Sequence, residues 1–276
     1  MTVSELKNGR APGGVTPDGD YQPVRNAVAR PASDVPDEGA AAAAEAGLIS
    51  AAELVPAVDS SQLNLALLEL APGSSAELGT DPDRHELVYI LEGDLVIESR
   101  NGVVPAVRRI GPQTAFIQRG ESGPVKVCAG ARESVRLAVF GVGRLCDEHA
   151  DLGEPVSQVR LDLEGGETAT GRRSFQVLLG PESGCRRATM FMGVVPPGAA
   201  PWHFHLYDEI VMIVKGHGTY HQAGGSQPTA AGSAVRITPR TVHVNENTGT
   251  TDMHVLGVFT PAGSPSAAFL AADPAR

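Results

Sequence analysis

The stretch PWHFHLYDEIVMIVKGHG, residues 201–218, decides the fold. His203 and His205 are two residues apart, so on a β-strand both imidazoles project from one face. Leu206, Tyr207 and Asp208 provide a turn, and Glu209 opens an apolar strand that ends at Gly216. A later stretch, TPRTVHVNEN (238–247), brings His243 after another apolar strand and turn. In a closed barrel these strands are neighbours, and all four side chains converge inside. Three imidazoles and one carboxylate suit one divalent transition metal, and an octahedral shell would leave two positions open for water, oxygen or substrate. Zinc would leave fewer.

The texture on either side is that of an all-β chain. Short apolar segments such as ELVYILEGDLVIES (86–99) and ATMFMGVVPPG (188–198) alternate with Gly and Pro turns. The 32 glycines and 21 prolines suit such a turn-rich protein, and at 4% aromatics the core must be built from Val, Leu, Ile and Ala. The two halves also match. In each, a Glu is followed by six residues and a Gly, Glu86 to Gly93 and Glu209 to Gly216. Pro72-Gly73 parallels Pro197-Gly198, and GPQTAFIQR from Gly111 parallels GSAVRITPR from Gly232. Three landmarks in the same order indicate two copies of one β-fold. The expected organisation is an N-terminal arm over 1–60 with one short helix in EGAAAAAEAG, a first barrel over 61–148, a linker over 149–172, a second barrel over 173–264 and a tail over 265–276.

Composition removes several partner classes. Lys and Arg total 22 against 32 Asp and Glu, a net charge of −10 with no basic run, which disfavours nucleic acid. No run of 18 apolar residues predicts a membrane span, and MTVSELKNGRAPGG lacks the apolar core of a secretion signal. Cys128, Cys146 and Cys185 have no C-x-x-C spacing, as expected of buried thiols in a reducing cytoplasm.

The segment from Gly198 through His203, His205 and Glu209 to Gly216 resembles the first signature of the cupin superfamily, and Gly232 through His243 to Asn247 resembles the second. With both halves covered, the chain resembles a bicupin, which implies two tandem jelly-roll (double-stranded β-helix) barrels. The resemblance carries over His203, His205, Glu209 and His243 as metal ligands, and gives Asn247 a structural role. Thr238 and Arg240 depart from the pattern, standing where the family has Pro and Gly. In the first repeat the histidine positions fall on Thr80, Pro82 and Ser122, and only Glu86 remains, with His85 beside it. That barrel is expected to bind no metal and to cover or support the other.

The remaining site residues are set by placement. His221, on the strand after the KGHG turn, is the candidate catalytic acid or base. Arg236 is the candidate clamp for a substrate carboxylate. Val211 and Ile213, with Val235 or Ile237 and Met190 or Met192, are the candidate apolar wall. Trp202 and Phe204 alternate with the histidines and are expected to face away from the metal, with Tyr207 and Asp208 at the rim. Iron(II) is the favoured ion, with manganese, nickel, zinc and copper as alternatives. Three functions fit: a non-haem Fe(II) oxygenase or dioxygenase acting on a small organic substrate, a redox-neutral isomerase, cyclase or decarboxylase, and a metal- or ligand-binding protein without turnover. A homodimer is expected, since edge-strand pairing disposes of exposed sheet edges.

Overall fold

Segments of two to eight residues, the longest of them mostly apolar, form strands throughout the described residues. The computed structural model describes residues 48–57, 63–99, 106–144, 156–168 and 172–272. The first half carries β1 (Leu48–Val55), β2 (Asn64–Leu70), β3 (Ser75–Leu78), β4 (His85–Glu92), β5 (Leu95–Ser99), β6 (Ala106–Ile110), β7 (Thr114–Arg119), β8 (Val125–Ala129) and β9 (Val135–Val142). Two short strands follow, β10 (Val159–Arg160) and β11 (Glu167–Thr168). The second half carries β12 (Ser174–Leu179), β13 (Thr189–Val195), β14 (Gly198–Ala199), β15 (His203–His205), β16 (Asp208–Lys215) and β17 (His217–Gln222). It continues with β18 (Gly225–Ala230), β19 (Ala234–Ile237), β20 (His243–Asn247), β21 (Met253–Thr260) and β22 (Ala268–Leu270).

Each half is a barrel of two antiparallel sheets. The first pairs a back sheet β1-β2-β9-β4-β7-β10 with a front sheet β3-β8-β5-β6. The second pairs a back sheet β11-β12-β13-β21-β16-β19 with a front sheet β18-β17-β20-β15-β22, and β14 adds to β20. The internal repeat is real in space: β4 lies between β9 and β7 as β16 lies between β21 and β19. Gly93 and Gly216 close the equivalent hairpins with φ of 78° and 88°, in the left-handed region that favours glycine. A Cβ on Gly93 would also sit 2.3 Å from the Ser134 carbonyl oxygen.

The two back sheets pack face to face. Leu87, Tyr89 and Phe140 from one barrel share a buried cluster with Ile210, Met212 and Leu256 from the other. In β16, Val211 and Ile213 point the opposite way, into the second barrel with Tyr220, Val235 and Val255. Both faces of the strand are therefore buried, which is why IVMIV reads as an unbroken apolar run. Met190 and Met192 join the inter-barrel cluster. They do not line the metal-side cavity, which corrects the expected wall.

The domain limits also need adjustment. Leu48–Val55, placed in the arm by its composition, is a strand paired along β2 from Leu48↔Leu70 to Val55↔Leu65. The expected short helix lies outside the described residues. The linker is divided between the barrels, since β10 extends the first back sheet and β11 the second. The tail is not loose: β22 pairs with β15, Phe204↔Phe269 and His205↔Ala268. Among the described residues no helix is long and apolar enough to cross a membrane.

Candidate metal centre

β15 and β20 run side by side with His203 opposite His243, while Glu209 is the second residue of β16 on the facing sheet. His203, His205, Glu209 and His243 are all buried and line one cavity of about 90 Å³. Among the described residues, His205, Glu209 and His243 form a group whose ligand atoms all lie within 4.8 Å of one another. His203 flanks it, its ring 4.4 Å from that of His243.

The imidazoles are oriented by the backbone. Nδ1 of His203 lies 3.0 Å from Pro201 O, Nδ1 of His205 3.0 Å from Tyr207 O, and Nδ1 of His243 2.9 Å from Thr241 O. A carbonyl only accepts, so each Nδ1 carries a proton, and in the neutral ring Nε2 keeps its lone pair. Hydrogen bonds of this kind fix ring orientation and tautomer in metal sites. His205 Nε2 is 2.8 Å from Glu209 Oε2, yet it is buried without a hydrogen bond that satisfies it. Two lone-pair atoms this close need a positive charge between or beside them. Adjacent donors on an ion at about 2.1 Å would stand roughly 3 Å apart, so the donor set fits a metal. Burial, then the positive field of Arg173, lowers the His203 pKa. Burial, then His203 and His205, holds His243 well below its ordinary value. Burial opposes charge on His205, but the Glu209 carboxylate outweighs it and raises that pKa.

The loops that hold the ligands keep the shape their departures from the pattern put in question. Arg240 takes φ of 66°, a left-handed conformation, and its N–H donates to His205 O at 2.7 Å. The Asn247 amide donates to Val195 O at 2.7 Å and to Thr251 O at 2.8 Å. Those bonds tie β20 to the end of β13, a structural role.

Four other expectations are corrected. His221 follows Tyr220, which is buried against His243, so alternation turns His221 out of the barrel. There it bridges Ser226 Oγ (2.6 Å) and Glu246 Oε2 (2.9 Å), and it does not line the cavity. Arg236 faces the other barrel. It pairs with Asp208 and donates to Pro56 O at 3.1 Å and to Leu63 O, so it docks the first barrel and clamps no substrate. Asp208 is correspondingly a buried interface residue, away from the rim. Val211 lines the cavity; Ile213 packs in the cluster beneath it. Phe204 stacks on Phe269 at 5.2 Å, outside the cavity, and Trp202 lies 6.2 Å from His221 on that outer side, as expected of both.

Sequence reasoning missed two cavity residues. Tyr207 stacks on His205 at 4.1 Å and on Phe259 at 4.0 Å, and burial followed by the Glu209 charge pushes its phenol pKa up. Arg173, immediately before β12, lines the cavity beside the candidate ligands. Tyr207 carried a signal, adjacency to the ligands. Arg173 carried none, since only the fold brings the segment before β12 to the site.

Comparison with known proteins agrees with this architecture. Residues 190–259 match the model of the Cupin domain family. Oxalate decarboxylase of Bacillus subtilis, a protein with Mn(II) centres, superposes with a TM-score of 0.57 at 16% identity, over 76% of this chain and 71% of that one. A putative glyoxylate-induced protein from Pseudomonas aeruginosa gives 0.59 at 13%, over 77% and 80%. AerE from Microcystis aeruginosa gives 0.56 at 13%, over 72% and 88%. No curated protein matches the chain. At these identities the likeness is one of fold.

Proposed function

The chain has the bicupin fold, with its metal-ligand set in the second barrel, and from that premise we propose that it is a divalent-metal-dependent enzyme acting on a small organic substrate by redox-neutral chemistry, such as decarboxylation or isomerisation. The observation that carries the proposal is the convergence of His205, Glu209 and His243, with each histidine Nδ1–H donating to a backbone carbonyl so that Nε2 is the nitrogen free to bind an ion. A bound ion would supply Lewis-acid polarisation of a substrate oxygen. The protein's own residues do the rest. Val211, Val255 and Phe191 give the cavity an apolar wall that excludes water. Tyr207 keeps its phenolic proton because burial, and then the neighbouring Glu209 charge, disfavours its ionisation. It is therefore placed to hold a proton against the metal side of the cavity, which redox-neutral chemistry requires.

The second reading is an Fe(II) oxygenase, and the same apolar wall supports it, since it would shield reactive oxygen species from water. Metal content separates site from chemistry. Protein purified anaerobically should carry about one divalent ion per chain, as one complete ligand set implies, and His243→Ala should lose it. Turnover of a small organic acid without oxygen supports the first reading. Strict one-to-one consumption of oxygen overturns it in favour of the second, and wild-type protein that takes up no metal overturns both.

A further inference from the structure

A second cluster of reactive side chains lies on the outer face of the second barrel's front sheet, across β18, β17 and β20. Ser226, His221 and Val244 stand opposite one another in the ladder, so their side chains share a face. Glu246 is two residues beyond Val244 on the same strand and returns to that face. The face is the outer one, because Tyr220 beside His221 and His243 beside Val244 turn into the barrel and stack there. His221 joins its two neighbours: Nδ1 lies 2.6 Å from Ser226 Oγ and Nε2 lies 2.9 Å from Glu246 Oε2. A carboxylate only accepts, so Nε2 carries a proton, and in the neutral ring Nδ1 keeps a lone pair for the Ser226 hydroxyl to donate to. Hydroxyl, base and base-orienting carboxylate follow in the order that activates a serine.

The sheet does not require this relay, since the three strands are already joined by their ladder. The surroundings admit a substrate. His221 and Glu246 are partly buried, while Ser226 is exposed. A Cβ added at Gly224 or Gly225, in the hairpin turn before Ser226, would meet nothing within 4 Å, so the hydroxyl is open from that side. On the other flank the Trp202 ring stands edge-on to His221 at 6.2 Å and offers a flat apolar surface.

We propose that Ser226, His221 and Glu246 form a second active site, independent of the metal centre, that hydrolyses activated carboxylic esters with an aromatic alcohol as leaving group. Ser226 Oγ attacks the ester carbonyl while its proton passes to His221 Nδ1. The bond to the leaving oxygen breaks, and His221 returns the proton to that oxygen. Water then attacks the acyl-serine by the same route: its proton goes to Nδ1 and on to Ser226 Oγ as the acid departs. Ester and water give acid and alcohol, with no redox change. Glu246 is a positioning residue, holding the ring and favouring the imidazolium of each step. The carbonyl oxygen faces solvent, so water stabilises the oxyanion and the gain is that of general-base catalysis, which suits an activated ester.

The test uses the full-length protein with p-nitrophenyl acetate as probe, with and without EDTA. Wild type should release p-nitrophenolate equally fast in both, and at least about tenfold faster than Ser226→Ala, as general-base activation of the hydroxyl implies. Acid-quenched wild type should carry an acetyl group on the peptide that contains Ser226, a readout that needs no variant. Glu246→Gln should lose most of the rate and Glu246→Asp should recover part of it, at unchanged thermal stability, which a merely structural carboxylate would not produce. An undiminished rate in Ser226→Ala would mean that the imidazole attacks the ester unaided, and overturns the inference. An acetyl group found only on other residues overturns it as well. A rate abolished by EDTA assigns the activity to the metal centre, overturning the inference while leaving the metal-dependent reading intact.

Discussion

Val88 and Val211 occupy equivalent places, each two residues beyond the repeated glutamate. Val88 is sealed among Phe116, Val127 and Ile90, whereas Val211 stands on a cavity wall. The same contrast runs through the whole repeat. His203, His205 and His243 are buried, while Thr80, Pro82 and Ser122 at the corresponding positions are exposed. Glu86 accepts the Gly79 N–H at 2.8 Å, and Gln118 beside it donates to Gly123 O at 2.7 Å. The first barrel thus spends its interior on packing and satisfies its leftover carboxylate with backbone. The second keeps a space and a set of inward lone pairs. A repeat can do without the ligand set and keep its fold because the back sheet, which both copies need for docking, is built from the other face of the same strands.

That docking face gives the largest expected effect. At equivalent positions β4 and β7 present His85 and Ile117, while β16 and β19 present Asp208 and Arg236. Arg236 joins Asp208 to two carbonyl oxygens of the first barrel's N-terminal segment, with both side chains buried. Arg236→Ala would leave Asp208 without its guanidinium and should cost about 3–5 kcal/mol in denaturant unfolding. Ile117→Ala, on the opposite copy, exchanges packing alone and should cost less. A neutral Arg236→Ala would show that the apolar cluster docks the barrels unaided.

The interior contrast is sharpened by the valines. Val88→Ala creates a cavity in packed surroundings and should destabilise by about 1–3 kcal/mol. Val211→Ala enlarges a space that already exists, and its cost should be clearly smaller, read by thermal unfolding of the metal-free protein. Equal costs would mean that the second interior is packed as tightly as the first.

How much of this was legible in the sequence depended on whether a signal was local. The candidate ligands were, because His203, His205 and Glu209 sit within one strand-turn-strand unit whose spacing dictates a shared face. The repeat was, through Glu86 and Glu209 and the glycines that follow them. The phase of a strand was harder. In HGTYHQ both His221 and Tyr220 are amphipathic, and only burial of Tyr220 against His243 decides which one enters the barrel. In AVRI every residue is buried, so alternation does not separate the cavity face from the docking face, and Arg236 and the methionines of β13 were assigned to the wrong side. Arg173 was out of reach because it meets the ligands only through sheet closure.

The smallest expected effect concerns Glu86, the one ligand-type residue that the first barrel retains. Burial raises its pKa, and the Gly79 N–H and the Arg84 charge offset this only in part. The folded state therefore binds a proton more tightly than the unfolded state does. By linkage, Glu86 favours folding most at pH values below the ordinary glutamate pKa, and that contribution is lost as pH rises through the elevated folded value. Glu86→Gln keeps an oxygen to accept the Gly79 N–H and has no charge to bury. Its stability should match wild type in acid and exceed it toward neutral pH, by no more than about 1 kcal/mol. Metal content should be unchanged. The opposite pattern, a variant less stable than wild type at neutral pH and poorer in metal, would mean that Glu86 binds a cation there. The two barrels would then differ in degree of metal use and no longer in kind.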